Sequence, residues 1–145
     1  MEKPIKVYIS HQSRCDEKEI NNLIQYLEKK GFVVTHGAAT SEEFAQFIQE
    51  KDYYVCMMEK NTFKSKEVAN EISFAAKKGK RIFGIFCPDI TESINIPTAL
   101  EDYATGITEW NPSKLEKGLR GEDIGFFNPD GTPRKPTRKA DTVKC

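Results

Sequence analysis

Short runs of apolar, β-branched and aromatic residues alternate with segments of helical period, and this alternation limits what the chain can fold into. Ile5, Val7 and Ile9 alternate with Lys6 and Tyr8, the two-residue period of a strand. Asp16 followed by Glu19 resembles a capping box, and Ile20, Leu23, Ile24 and Leu27 then share one helical face. Gly31 ends that helix, and Phe32 to His36 reads as a second strand. Thr40 with Glu43 repeats the capping pattern before a short helix carrying Phe44, Phe47 and Ile48. Tyr53 to Met58 is a third strand with few charges. The spacing of Val68, Ile72, Ala75 and Ala76 predicts a helix from about Lys66 to Lys78, stopped by Gly79. Arg81 to Phe86 is a fourth strand. A proline-containing connection, Cys87 to Leu100, leads to a fifth at Ala104 to Trp110. Asn111-Pro112 then supplies the cap and first turn of a last helix through Leu115 and Leu119.

Strands that alternate with helices predict an α/β fold: a parallel sheet of about five strands, covered on both faces in a flavodoxin-like three-layer sandwich of order 2-1-3-4-5. In that order a cleft opens where the connections diverge, at the carboxyl ends of strands one and three. The segments there are Ser10 to Arg14 and Met58 to Phe63. Residues 1–124 read as one domain. From about Gly125 the chain turns to Asn128-Pro-Asp-Gly-Thr-Pro-Arg-Lys-Pro-Thr-Arg-Lys139, with turn residues, basic charge and almost no apolar side chains. Residues 125–145 are therefore expected to be a polar, basic tail, loosely ordered unless something holds it.

Composition removes several function classes. The formal net charge is zero and charged residues make up 30%, so no general field draws the chain to nucleic acid or anionic membrane. No apolar run approaches a membrane span, and the start Met1-Glu-Lys-Pro-Ile-Lys6 is not a signal peptide. Cys15, Cys56, Cys87 and Cys145 are scattered, which excludes a clustered zinc site and fits a reducing, cytoplasmic setting. Ser10-His-Gln-Ser13 after strand one is neither a dinucleotide fingerprint nor a phosphate loop. The acidic residues of a phospho-acceptor receiver are absent, as is a Gly-x-Ser-x-Gly elbow. Two histidines, His11 and His36, do not make a metal site.

One carboxylate stands out. Helical neighbours meet at i±3 and i±4, and at those positions Glu71 has Val68, Phe74, Ala75 and Glu67. It has no local cation, whereas Glu67 has Lys64 three residues away. At 100° per residue Glu71 lies at the edge of the apolar face, near the cleft. Partial burial and Glu67 would both raise its pKa. The bland readings are a solvated surface glutamate or one paired to a lysine distant in sequence.

Lys6-Val-Tyr-Ile-Ser-His11, then Asp16, an amphipathic helix and Gly31-Phe-Val-Val34, resemble the opening of a TIR (Toll/interleukin-1 receptor) domain. Ser65, Glu67 and Glu71, followed by Ala75-Ala-Lys-Lys-Gly-Lys-Arg-Ile82, resemble the family's Ser-x-Trp-x-x-x-Glu helix and the Gly-Lys-x-Ile lead into its fourth strand. The resemblance spans roughly residues 4–120, with Glu67 standing at the tryptophan position. It implies an NAD-consuming enzyme of the Thoeris anti-phage type, an NAD glycohydrolase or ADP-ribosyl cyclase-type producer of an ADP-ribose-derived signal. Glu71 would be catalytic. NAD would be the substrate, with no separate cofactor and no metal. Ser10, His11, Gln12, Phe63, Ser65 and Glu67 would line the substrate site. The family also implies self-association through TIR surfaces and an effector protein that receives the signal; the balanced charge and the lack of an apolar span argue against nucleic-acid and membrane partners.

Four of the lining residues have plainer alternatives. His11 is equally an exposed loop histidine, Ser10 a residue bonding nearby backbone, Ser65 a helix cap and Phe63 a core aromatic. For the whole chain the alternatives are a non-catalytic TIR interaction domain or a nucleoside deoxyribosyltransferase-like enzyme. Ser73, where the latter pattern has glycine two residues after its glutamate, counts against it.

Overall fold

The structure is a computed structural model and describes residues 4–11, 17–37 and 41–134. Five parallel strands form one sheet in the order β2-β1-β3-β4-β5. They are β1 (Lys6–Ser10), β2 (Val33–Gly37), β3 (Tyr53–Met58), β4 (Arg81–Phe86) and β5 (Gly106–Thr108). The helices are α1 (Glu17–Lys29), α2 (Ser41–Gln49), α3 (Lys66–Lys77), α4 (Thr98–Tyr103) and α5 (Pro112–Leu119), and a 3-10 turn spans Thr62–Lys64. This is the expected flavodoxin-like order.

Side-chain alternation sorts the sheet into two cores. Val7, Ile9, Val55, Met57, Phe83 and Ile85 pack under α1 and α5, against Leu23, Leu27, Leu115 and Leu119. Tyr8, Tyr54, Cys56, Met58, Ile82 and Phe86 face α2, α3 and α4, against Phe44, Ile48, Val68, Ile72 and Leu100. Each fully buried leucine, such as Leu23 or Leu27, contributes roughly 1.5–3 kcal/mol of burial free energy. Because both faces are covered, Tyr8 is as buried as Val7 and Ile9, and the two-residue alternation of β1 does not mark a solvent face.

Two expectations are corrected. β5 is shorter than the span Ala104 to Trp110, because Thr98–Tyr103 forms α4 and Ala104 ends it by donating its N–H to Leu100 O at 2.9 Å. A helix of six residues is too short to show a period in sequence. Residues 125–134, expected as loose tail, are bonded to β5. Phe127 N donates to Ile107 O at 2.8 Å, Ile107 N donates to Gly125 O at 3.1 Å, and Arg134 reaches Glu101 Oε1 at 2.8 Å. The β5 backbone pairs with this segment, and Phe126 packs against the core face under α2, α3 and α4. The rest of the basic stretch lies outside the described residues, as do the capping residues Asp16 and Thr40.

Among the described residues no helix is long and apolar enough to cross a membrane, and no group of three metal-donor side chains occurs. Cys56 is a free buried thiol. Cys87, buried just past β4, is disulfide-bonded. Scatter along the sequence points to reduced thiols throughout, and the bonded Cys87 departs from that expectation.

Candidate functional site

The site is built where β1 and β3 lie side by side and α3 crosses their shared face. Parallel register sets Tyr8 beside Tyr54 and Ser10 beside Cys56. Side chains two apart on a strand share a face, so Ser10, Tyr54 and Cys56 all point toward α3. Helix α3 begins at the carboxyl edge of the sheet, after a turn fixed by short bonds. Glu59 N donates to Thr62 Oγ1 at 2.8 Å, and Asn61 N donates to Glu59 Oε1 at 2.9 Å. Ser65 caps the helix, its Oγ accepting from Val68 N at 3.1 Å. Helical side chains tilt toward the N-terminus, so Glu71 in the second turn leans back toward the strand ends.

Glu71 is 7% exposed and belongs to neither bland class. Its Oε1 accepts from Ser10 Oγ at 2.7 Å and from Tyr54 Oη at 2.9 Å. Both donors are neutral and buried, and no lysine or arginine among the described residues pairs with it. Two lone pairs serve one carboxylate oxygen, and two hydroxyls fill them. Oε2 accepts from no described residue. Burial pushes the Glu71 pKa above the ordinary carboxylate range; the Ser10 and Tyr54 hydrogen bonds oppose that push, and the charge of Glu67 adds to it. The same burial drives the Tyr54 phenol and the Cys56 thiol well upward, with the Glu71 charge adding to both. Tyr54 therefore remains an O–H donor and Cys56 a neutral thiol.

The remaining candidates divide. His11, half-buried just past β1, lies with Nε2 3.2 Å from His36 Nδ1, and the rings stack at 5.4 Å. Burial lowers the His11 pKa, the neighbouring His36 lowers it further, and Glu17 pulls it back. Ser65 is a helix cap whose hydroxyl also donates to Glu67 Oε2 at 3.2 Å. Glu67 is exposed and takes that bond, not an ion pair with Lys64, whose Nζ sits 5.7 Å over the Phe63 ring. Phe63 is 37% exposed, not a core aromatic, and lines a cavity of about 420 Å³ with Lys60, Asn61, Lys64, Ser93, Ile94 and Asn95. That cavity does not include Glu71. Gln12 lies outside the described residues.

Of the predicted set, the structure brings Ser10 and Glu71 into direct contact. Tyr54 is the residue that sequence reading missed. Its signal was present in the alternation of strand three combined with the expected sheet order, which places Tyr54 and Cys56 on the face that the next helix covers.

Neither a family model nor a curated protein matches the chain. Among solved structures, the TIR domains of the activated Roq1 resistosome directly recognizing the pathogen effector XopQ are similar at 18% identity and a TM-score of 0.47. That match covers 57% of this chain and 57% of the other. At this level the likeness bears on none of the site chemistry.

Proposed function

We propose that the protein is a TIR-like enzyme that cleaves the nicotinamide–ribose bond of NAD, with Glu71 as the catalytic carboxylate. The observation that carries this reading is the Glu71 carboxylate itself: buried, without a cation among the described residues, and held by two neutral hydroxyls beside the β1/β3 switch point. Open α/β sheets bind ligands in the crevice at that point.

One carboxylate is enough for this reaction. An alkoxide leaving group needs a general acid, which is why ordinary glycosidases carry two carboxyl groups. Nicotinamide departs as a neutral pyridine: the electron pair of the C1′–N bond neutralises the pyridinium nitrogen. Positive charge then develops on the ribose, where an ionised Glu71 lowers its energy through hydrogen bonds from the ribose hydroxyls and by charge. Water attacking C1′ gives ADP-ribose and releases one proton; an internal adenine or ribose atom gives a cyclic isomer, and another small molecule a conjugate. We place this chemistry in bacterial anti-phage defence of the Thoeris type, where the product is a signal for an effector protein, and in a cytoplasmic setting with self-association through TIR surfaces.

The second reading is a non-catalytic interaction domain. One observation favours it: the Glu71 bonds tie α3 to β1 and β3, as a structural crosslink would. Incubating purified protein with NAD, and separately with deoxynucleosides, and identifying products by mass spectrometry separates the two and tests the deoxyribosyltransferase alternative. NAD cleavage lost in Glu71→Gln supports the enzyme. No turnover of either substrate, in concentrated protein and with its operon partners, supports the scaffold.

A further inference from the structure

We infer that Ser10 and Tyr54 are positioning residues for Glu71, occupying Oε1 and thereby leaving Oε2 as the oxygen offered to a bound glycoside. For the identity of that glycoside the inference rests on the NAD-cleaving reading; for the geometry it does not. Both hydroxyls converge on one oxygen, at 2.7 Å from Ser10 and 2.9 Å from Tyr54. A carboxylate with one oxygen anchored by two strands cannot rotate freely about its last torsion. The anchors themselves are rigid: Tyr54 is fully buried, stacks on Tyr8 at 6.1 Å and meets the edge of Phe44 at 5.7 Å, and Ser10 is the last residue of β1.

The pair also acts on charge. Hydrogen bonds donated to a carboxylate favour its ionised form, while burial disfavours it. Among the described residues the groups around Glu71 are Ser10 from β1, Tyr54 and Cys56 from β3, and Glu67 from its own helix, and none of these carries positive charge. Ser10 and Tyr54 are therefore the described groups that favour the ionised form of Glu71 in a site whose burial and neighbouring charge oppose ionisation.

The test uses Tyr54→Phe and Ser10→Ala in the full chain, each confirmed folded by circular dichroism and thermal melting. The ¹³C resonance of the Glu71 carboxyl, assigned by its loss in Glu71→Gln, is titrated in each protein, and kcat/KM for NAD is measured across the same pH range. Removing either donor is expected to move the Glu71 titration to higher pH. The acid limb of the activity profile should move with it, and NAD turnover at neutral pH should fall on the order of tenfold per donor. A Glu71 titration unchanged in both variants overturns the inference. If the native protein cleaves no NAD, the proposed function fails, and the carboxyl titration still decides whether these hydroxyls hold the charge.

Discussion

Ser10 and Glu71 stand 61 residues apart in sequence and 2.7 Å apart in the fold, a hydroxyl on the end of β1 donating to a carboxylate on α3. Their contact depends on the sheet order, since β1 borders β3 and α3 leaves from β3 to cover their common face. The contact makes a buried acid with no counter-ion among the described residues tolerable, because hydrogen bonds replace part of the hydration it loses.

Stability should report this burial. The folded pKa of Glu71 is raised above its unfolded value, so between the two the folded state holds more protons than the unfolded state. Stability therefore falls as pH rises through that window and is recovered as pH falls below it. Glu71→Gln removes this dependence. Urea unfolding across mildly acidic to neutral pH should show the native protein gaining stability relative to Glu71→Gln as pH falls. A constant difference would place the Glu71 pKa at its unfolded value.

Ser65 should matter to the helix more than to the substrate. Its Oγ satisfies Val68 N at the start of α3, so Ser65→Ala should cost about 1 kcal/mol in denaturant unfolding. Ser65→Asp should keep most of that stability, and KM for NAD should be unchanged in both. A raised KM without lost stability would return Ser65 to the substrate site.

The histidine pair gives a test by NMR. His36 charge lowers the His11 pKa alongside the larger effect of burial, so His36→Ala should move the His11 titration upward without restoring an ordinary histidine value. Ring-proton shifts against pH measure it directly. A downward movement would mean that His36 stabilises protonated His11.

Residues 125–134 should contribute to folding. Ending the chain at 124 removes two backbone hydrogen bonds to Ile107 and the Arg134–Glu101 pair. At about 1 kcal/mol per bond, the loss should be roughly 2–3 kcal/mol, with a bared β5 edge prone to self-association. Ending the chain at 134 leaves these contacts in place. Unfolding curves and light scattering on the two truncations separate the outcomes.

Periodicity carried the sheet order and the helices with long apolar faces into view: β3, β4 and the inward set Val68, Ile72 and Ala75 of α3 stand where the pattern puts them. It failed where structure comes from backbone demand. The six-residue α4 is shorter than two turns, and Gly125 to Arg134 is held by the open edge of β5. The site was legible in half. Glu71 showed as a carboxylate lacking a helical partner, but its partners are hydroxyls from strands, invisible to i±4 reasoning. Tyr54 is a strong β former in an apolar run, so its phenol was hidden by the residue's other use as core.

Whether Glu71 is the catalytic carboxylate is decided by NAD turnover of the native protein beside Glu71→Gln, followed by mass spectrometry of nicotinamide and the ADP-ribose-derived product. Nicotinamide release by the native protein is expected, with a fall of about 10²–10³-fold in the variant, the loss that follows when one electrostatic stabiliser is removed. A Glu71→Gln protein that retains most of the native turnover would contradict that role.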